Sequence, residues 1–95
     1  MLYYDEASCS MSPEQKQTLQ NRIFLEQQTP GFTEPIAKIS WTDGCKVFFE
    51  DGSWVICRFS GTEPLMRIAA EGNSDQQVHN HIQMWKTFIN SVDSI

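Results

Sequence analysis

Long apolar runs are absent from this sequence, and no stretch approaches the ~20 consecutive residues that a helix needs to cross a bilayer. The first residues carry no basic cluster followed by an apolar segment, so no secretory leader is visible. Positive charge is scarce: seven Lys and Arg stand against twelve Asp and Glu, for a formal net charge of −5 at pH 7. A nucleic-acid binder needs a broad basic face, and so does a protein held to an anionic membrane surface, so charge argues against both partners. Cysteine is sparse and odd in number, with Cys9, Cys45 and Cys57 and no Cys-x-x-Cys. That pattern speaks against a disulfide framework and against a zinc knuckle, and it suits free thiols in a reducing cytoplasm. Internal repeats and low-complexity segments are missing as well.

What is present describes one globular domain over residues 1–95, with 40% hydrophobic and 20% charged residues. A domain of this size buries roughly 60–65% of its unfolded surface, which implies one modest core. Residues 1–10 carry little pattern, and Leu2-Tyr3-Tyr4 is either the remnant of a linker or a short edge strand. Ser12-Pro13-Glu14-Gln15 is a helix start, in which Ser12 caps, Pro13 takes the first helical position and Gln15 completes a capping box. Leu19, Ile23 and Phe24 follow at helical spacing, and the helix is expected to end before Pro30-Gly31. Gln15, Gln17, Gln20, Gln27 and Gln28 read as its wet face.

Four strand-like segments come next: Ile36 to Trp41, Lys46 to Phe49, Trp54 to Phe59 and Leu65 to Glu71. Asp43-Gly44 and Glu50-Asp51-Gly52 supply the first two turns. In the last segment Met66, Ile68 and Ala70 alternate with Arg67, Ala69 and Glu71, as in a sheet with one covered face. Asn73 or Ser74 caps a second helix whose apolar stripe is Val78, Ile82, Trp85, Ile89 and Val92. The expected fold is α+β: a four-stranded antiparallel sheet, with an optional leading strand, and two helices on one face.

The chemistry concentrates between the third and fourth strands, in Arg58-Phe59-Ser60-Gly61-Thr62-Glu63-Pro64. A phosphate needs several donors converging on one point. Arg58 offers a planar fork of N–H groups, and Ser60 and Thr62 each offer a hydroxyl. Gly61 permits a tight turn in which consecutive backbone N–H groups face inward, and Pro64 stiffens the exit. Ser-Gly-Thr between strands is also ordinary turn chemistry, and Arg58 has Glu63 and Glu71 as alternative ion-pair partners.

The run Arg58-Phe59-Ser60-Gly61-Thr62-Glu63-Pro64-Leu65-Met66-Arg67-Ile68-Ala69-Ala70-Glu71, approached by Asp51-Gly52-Ser53-Trp54-Val55, resembles the C-terminal signature of the α-D-phosphohexomutases. That family includes phosphoglucomutase, phosphomannomutase and phosphoglucosamine mutase. The resemblance implies a TATA-box-binding-protein-like last domain, whose loop holds the phosphate of the phosphosugar that is not being transferred. On it, Arg58, Ser60, Gly61 and Thr62 make the site, while Glu63 and Arg67 match motif positions as supporting residues. Phe59 departs from the family, where a proline or a small residue is common, but removes no phosphate donor. The resemblance also implies glucose or mannose phosphates as ligands, the other domains of the same enzyme as partners, and magnesium in the full-length enzyme. The Ser-His-Asn-Pro catalytic loop, the Asp-Gly-Asp metal loop and the sugar-reading loop of such enzymes do not occur in this sequence. The chain is therefore expected to be one domain of a mutase, with no catalytic residue or cofactor of its own and no activity alone. A free-standing phosphosugar-sensing or protein-interaction module with the same fold is the competing expectation.

Other residues carry less. His79 and His81 lie two apart on a helix and read as solvent-exposed positions rather than metal ligands. Ser60 lacks the glycine that a nucleophile elbow needs two residues before the serine. Trp41, Trp54 and Trp85 read as core or domain-contact residues, Trp54 being the one on a strand whose uncovered face meets a neighbour. Asp43, Glu50 and Asp51 read as solvated turn residues.

Overall fold

The computed structural model describes residues 2–91. Five strands and two helices follow in the order β1 (Tyr3–Ser10), α1 (Pro13–Gln20), β2 (Ile36–Ser40), β3 (Cys45–Phe49), β4 (Trp54–Phe59), β5 (Leu65–Gly72) and α2 (Asp75–Ser91). The strands form one sheet in the order β1-β5-β4-β3-β2, antiparallel throughout. The α+β class is as the sequence implies, but the sheet has five strands, not four. Residues 3–10 are a full-length edge strand, paired from Tyr3 opposite Gly72 to Ser10 opposite Leu65. Their sequence pattern is faint because an edge strand buries little. Only Ala7 and Cys9 of β1 pack against the core.

The helix starts follow local chemistry. The Ser12 hydroxyl accepts the Gln15 N–H at 3.1 Å, and the Gln15 side chain accepts the Ser12 N–H at 2.7 Å, completing the capping box. Gln15 is thus part of the cap and not simply wet surface. At α2 the cap is Ser74, whose hydroxyl accepts the Gln77 N–H at 3.1 Å. The first helix stops short of Pro30. After α1 the chain widens into π-helical turns over Asn21–Leu25, with the Glu26 N–H bonding back to the Asn21 carbonyl, and at Gln27 φ reaches 55°. The segment beyond returns Phe32 to the core.

One face of the sheet is covered. Leu19 and Ile23 from the first helix, and Val78, Ile82, Trp85 and Ile89 from the second, bury against Cys45, Val47 and Phe49 of β3, Val55 and Cys57 of β4, and Met66, Ile68 and Ala70 of β5. Each large aliphatic side chain so buried contributes about 1.5–3 kcal/mol. Val92, expected on the same stripe, lies outside the described residues. Cys45 stands opposite Cys57 across the β3–β4 ladder, and both are free thiols. Burial pushes the Cys45 thiol up to about 12 and raises that of Cys57 well above its ordinary value, so both stay protonated at neutral pH.

His81 departs from its expected place on the surface. It is fully buried, stacked on Phe49 at 4.4 Å and 13°, and its Nε2–H donates to Glu34 Oε1 at 2.7 Å. His79 is exposed, as expected. Asp51 is exposed but far from idle. Its Oδ1 accepts from both the N–H and the hydroxyl of Ser53, and its Oδ2 accepts from Gln77 at 2.7 Å and from Asn73 at 3.4 Å. Gln77 also donates to Glu34. The chain Asp51–Gln77–Glu34–His81 therefore ties the β3–β4 turn to the start of α2.

Two predictions follow from these turns. Gly44 has φ +118°, and a Cβ there would meet the Cys57 carbonyl at 2.6 Å and Arg58 Cβ at 2.9 Å. Gly44→Ala is expected to cost about 1–3 kcal/mol in urea unfolding. The hydrogen bonds from the Ser53 hydroxyl and N–H, followed by those from Gln77 and Asn73, lower the Asp51 carboxyl from 3.8 to about 2. Because the folded group is the stronger acid, its contribution is complete above the unfolded value and is lost as pH falls through the folded one. Unfolding measured across that acid range should show the stability gap between the wild type and Asp51→Asn closing as pH drops from 3.8 towards about 2.

Candidate anion site at the open end of the sheet

Alternation along β4 and β5 sends every second side chain to the uncovered face. Arg58 stands directly opposite Arg67, and Arg67 directly opposite Ser8. The two arginines therefore share one row on that face, and with Lys46, Trp54, Ile56 and Tyr4 from the neighbouring rows they line an open cavity of about 570 Å³. Like charges placed directly opposite on adjacent strands destabilise a sheet by a few tenths of a kcal/mol to about 1 kcal/mol. No carboxylate relieves this pair: among the described residues neither arginine makes an ion pair, with Glu63, Glu71 or any other acid.

Past the end of β4 the chain turns sharply. The Ser60 N–H donates to the Leu65 carbonyl at 3.0 Å, and the Leu65 N–H donates to the Glu63 carbonyl at 2.8 Å. Inside the turn the consecutive N–H groups of Thr62 and Glu63 both point at Ser60 Oγ, each at 3.3 Å. These long bonds describe a concavity of backbone donors with a hydroxyl at its centre. Gly61 does not use a positive φ, and a Cβ there would meet nothing within 4 Å. The turn therefore forms without a glycine-only torsion at this position, and the missing side chain leaves open space beside the loop.

The sequence-predicted residues divide into two groups. Arg58 and Arg67 line the cavity on the open face. Gly61, Thr62 and Glu63 line a second hollow of about 370 Å³ with Pro13, Lys16, Gln17 and Gln20 of α1. Ser60 joins the two, following Arg58 by two residues and organising the turn through its hydroxyl.

Lys16 was missed by sequence reasoning. Its ammonium donates to the Ser60 carbonyl at 2.9 Å and to the Glu63 carbonyl at 3.3 Å, holding both ends of the loop from α1. No local signal announces this, because the contact spans 44 residues of chain. Charge-assisted bonds of this kind strengthen a partly buried turn. Lys16→Met should therefore speed amide hydrogen exchange at Ser60 and Leu65 and cost about 1 kcal/mol of stability, leaving exchange in β3 unchanged relative to global unfolding.

Comparison with known proteins gives concordant matches. The family model for the phosphoglucomutase/phosphomannomutase C-terminal domain matches residues 13–84. A probable phosphoglucosamine mutase of Methanosphaera stadtmanae is 37% identical over 59 residues, which cover 62% of this chain and 13% of that protein. A phosphoglucomutase/phosphomannomutase of Thermococcus kodakarensis is 45% identical over 47 residues, covering 50% of the chain and 10% of the relative. A phosphopentomutase of the same organism is 27% identical over 75 residues, covering 79% and 17% respectively. The chain thus spans only a small part, between 10% and 17%, of the length of these curated relatives.

Proposed function

We propose that this chain, which belongs to the phosphoglucomutase/phosphomannomutase C-terminal domain family, serves as the substrate-phosphate clamp of a phosphohexomutase. Such an enzyme interconverts hexose 1-phosphate and hexose 6-phosphate through a bisphosphate intermediate. The observation that carries the reading is the pair Arg58 and Arg67, in register on the open face, without carboxylate partners, beside a loop whose N–H groups converge. A phosphate dianion placed there would turn the repulsion between the guanidinium groups into a shared attraction, with Arg58 supplying the bidentate fork. The hydroxyls of Ser60 and Thr62 and the loop N–H groups would complete its shell, and the open space at Gly61 admits it to the backbone. Glu63 and Arg67 support the loop and its exit strand.

Gripping the phosphate that does not react lets its binding energy orient the reacting one and favour closure of the cleft between domains. Phosphoryl transfer also needs an in-line nucleophile and a metal ion. Among the described residues no three His, Cys, Asp or Glu side chains cluster to hold a metal. The described residues thus do not fit magnesium; nucleophile and metal are assigned to the remaining domains of a full-length mutase, and this chain alone is expected to be inactive. Glucose or mannose phosphates are the proposed ligands, and the other domains of the enzyme the proposed partners. Cys45 and Cys57 as facing free thiols, and the lack of a helix able to cross a membrane among the described residues, support a cytoplasmic location.

Glucose 1-phosphate titrated into the isotopically labelled chain tests the reading. Amides of Ser60 to Glu63 should shift with a millimolar Kd, a free energy of about 4 kcal/mol. Arg58→Ala should lose the response. Gly61→Ala should weaken it while leaving the melting temperature unchanged, since nothing in the fold opposes the added methyl. Amides unmoved at saturating ligand would refute the clamp and favour a free-standing interaction module.

A further inference from the structure

The uncovered face of an antiparallel sheet is normally polar. Here it is aromatic and basic. Phe48, Trp54, Glu71 and Tyr4 lie in one cross-strand row, with Lys38 opposite Phe48, and Lys46, Ile56, Ala69 and Glu6 form the next. The ammonium of Lys46 sits over the Trp54 ring at 4.3 Å and over Phe48 at 4.9 Å, and that of Lys38 sits over Phe48 at 4.8 Å. Tyr4 closes on the other side of Trp54, edge to face at 6.3 Å. Four of the seven lysines and arginines of this acidic chain share the face with two glutamates. Neither lysine pairs with a carboxylate among the described residues.

We propose that this aromatic and lysine ladder is a docking surface for a carboxylate-rich face of another polypeptide. It occupies the rows next to the arginine row and borders the same cavity, but the argument for it does not depend on the phosphate reading. The rings hold both ammonium groups in place through cation–π contact, so a partner would not have to order them. Lys38 pairs with Phe48 and Lys46 with Ser40, so the two lysines are diagonal neighbours on adjacent strands, roughly 7–8 Å apart, and both ammonium groups lean over the Phe48 ring, within reach of carboxylates i and i+4 on a helix. Tyr4, Trp54 and Ile56 supply the apolar contact that interfaces place beside such charges. A single-stranded nucleic acid fits less well. Base stacking needs open ring faces, but the Phe48 and Trp54 rings already carry lysine ammonium groups.

The test is a titration of the labelled 95-residue chain with octaglutamate, alongside octalysine, an eight-nucleotide oligothymidylate and inorganic phosphate. Octaglutamate should shift the amides of Lys38, Lys46 and Phe48 and the Trp54 indole N–H. Raising the salt from about 0.05 to about 0.5 M should weaken the response. Lys46→Glu should reduce affinity about tenfold and Lys46→Gln by less, both with the circular dichroism spectrum of the parent. The proposal is overturned by any of the following: no shift on this face; shifts that survive Lys46→Glu; tighter binding of the oligothymidylate; or inorganic phosphate moving this row as strongly as octaglutamate does. Self-association in sedimentation that Lys46→Glu abolishes would also overturn it, by making a second copy the occupant.

Discussion

The unbroken antiparallel register between β4 and β5 is the constraint on which the rest of the structure depends. It sends Val55 with Ala70, Cys57 with Ile68 and Phe59 with Met66 towards the helices, and Trp54 with Glu71, Ile56 with Ala69 and Arg58 with Arg67 to the other side. A slip of one residue would exchange the two sets, burying guanidinium groups and exposing the core. The hydrophobic effect therefore holds the arginines in their shared row, although the row itself is electrostatically unfavourable. Core packing supplies the free energy, and the uncovered face carries the stored repulsion that an anion would relieve.

The same one-sidedness accounts for the other features of that face. Because both helices bury their apolar stripes on one side, the opposite side keeps aromatic rings and lysine ammonium groups in contact with solvent. The close approach of Gly44 to the β4 backbone brings the β2–β3 turn up against Arg58. Lys16 reaches from α1 to the two ends of the loop that follows Arg58. Two elements distant in sequence, the β2–β3 turn and α1, thus frame this loop of a few residues.

Much of this was legible in residues with local consequences. Ser12 and Gln15 announce the first helix because the capping box is made within four consecutive residues. The strand segments could be placed within a residue of their observed bounds, since β3 to β5 alternate and are closed by Asp43-Gly44, Glu50-Asp51-Gly52 and the loop. Arg58, Ser60 and Thr62 stood out because their donors are contiguous. The departures are equally instructive. The edge strand buries too little to imprint a pattern. The π-helical turns after α1 break the period that would have extended the helix. The burial of His81 was readable in hindsight, for it lies three residues after Val78 and four before Trp85, on the same stripe. Glu34, 47 residues away in the chain, satisfies its Nε2, while Nδ1 is buried without a hydrogen-bond partner.

By itself, then, the sequence determined the start of both helices, the order of β2 to β5 with them, the side that β5 turns to the core and the stretch in which anion-binding donor types lie contiguous. These depend on periodicity, capping and turn residues, which act over a few positions along the chain. Only the tertiary structure decided that Arg58 faces Arg67, that Lys16 closes the loop, that Asp51 is a hub rather than a solvated turn residue, and that Lys38 and Lys46 rest on one aromatic row. Each of those is a meeting of residues far apart in the chain, set by strand register and helix placement, and no local pattern encodes it.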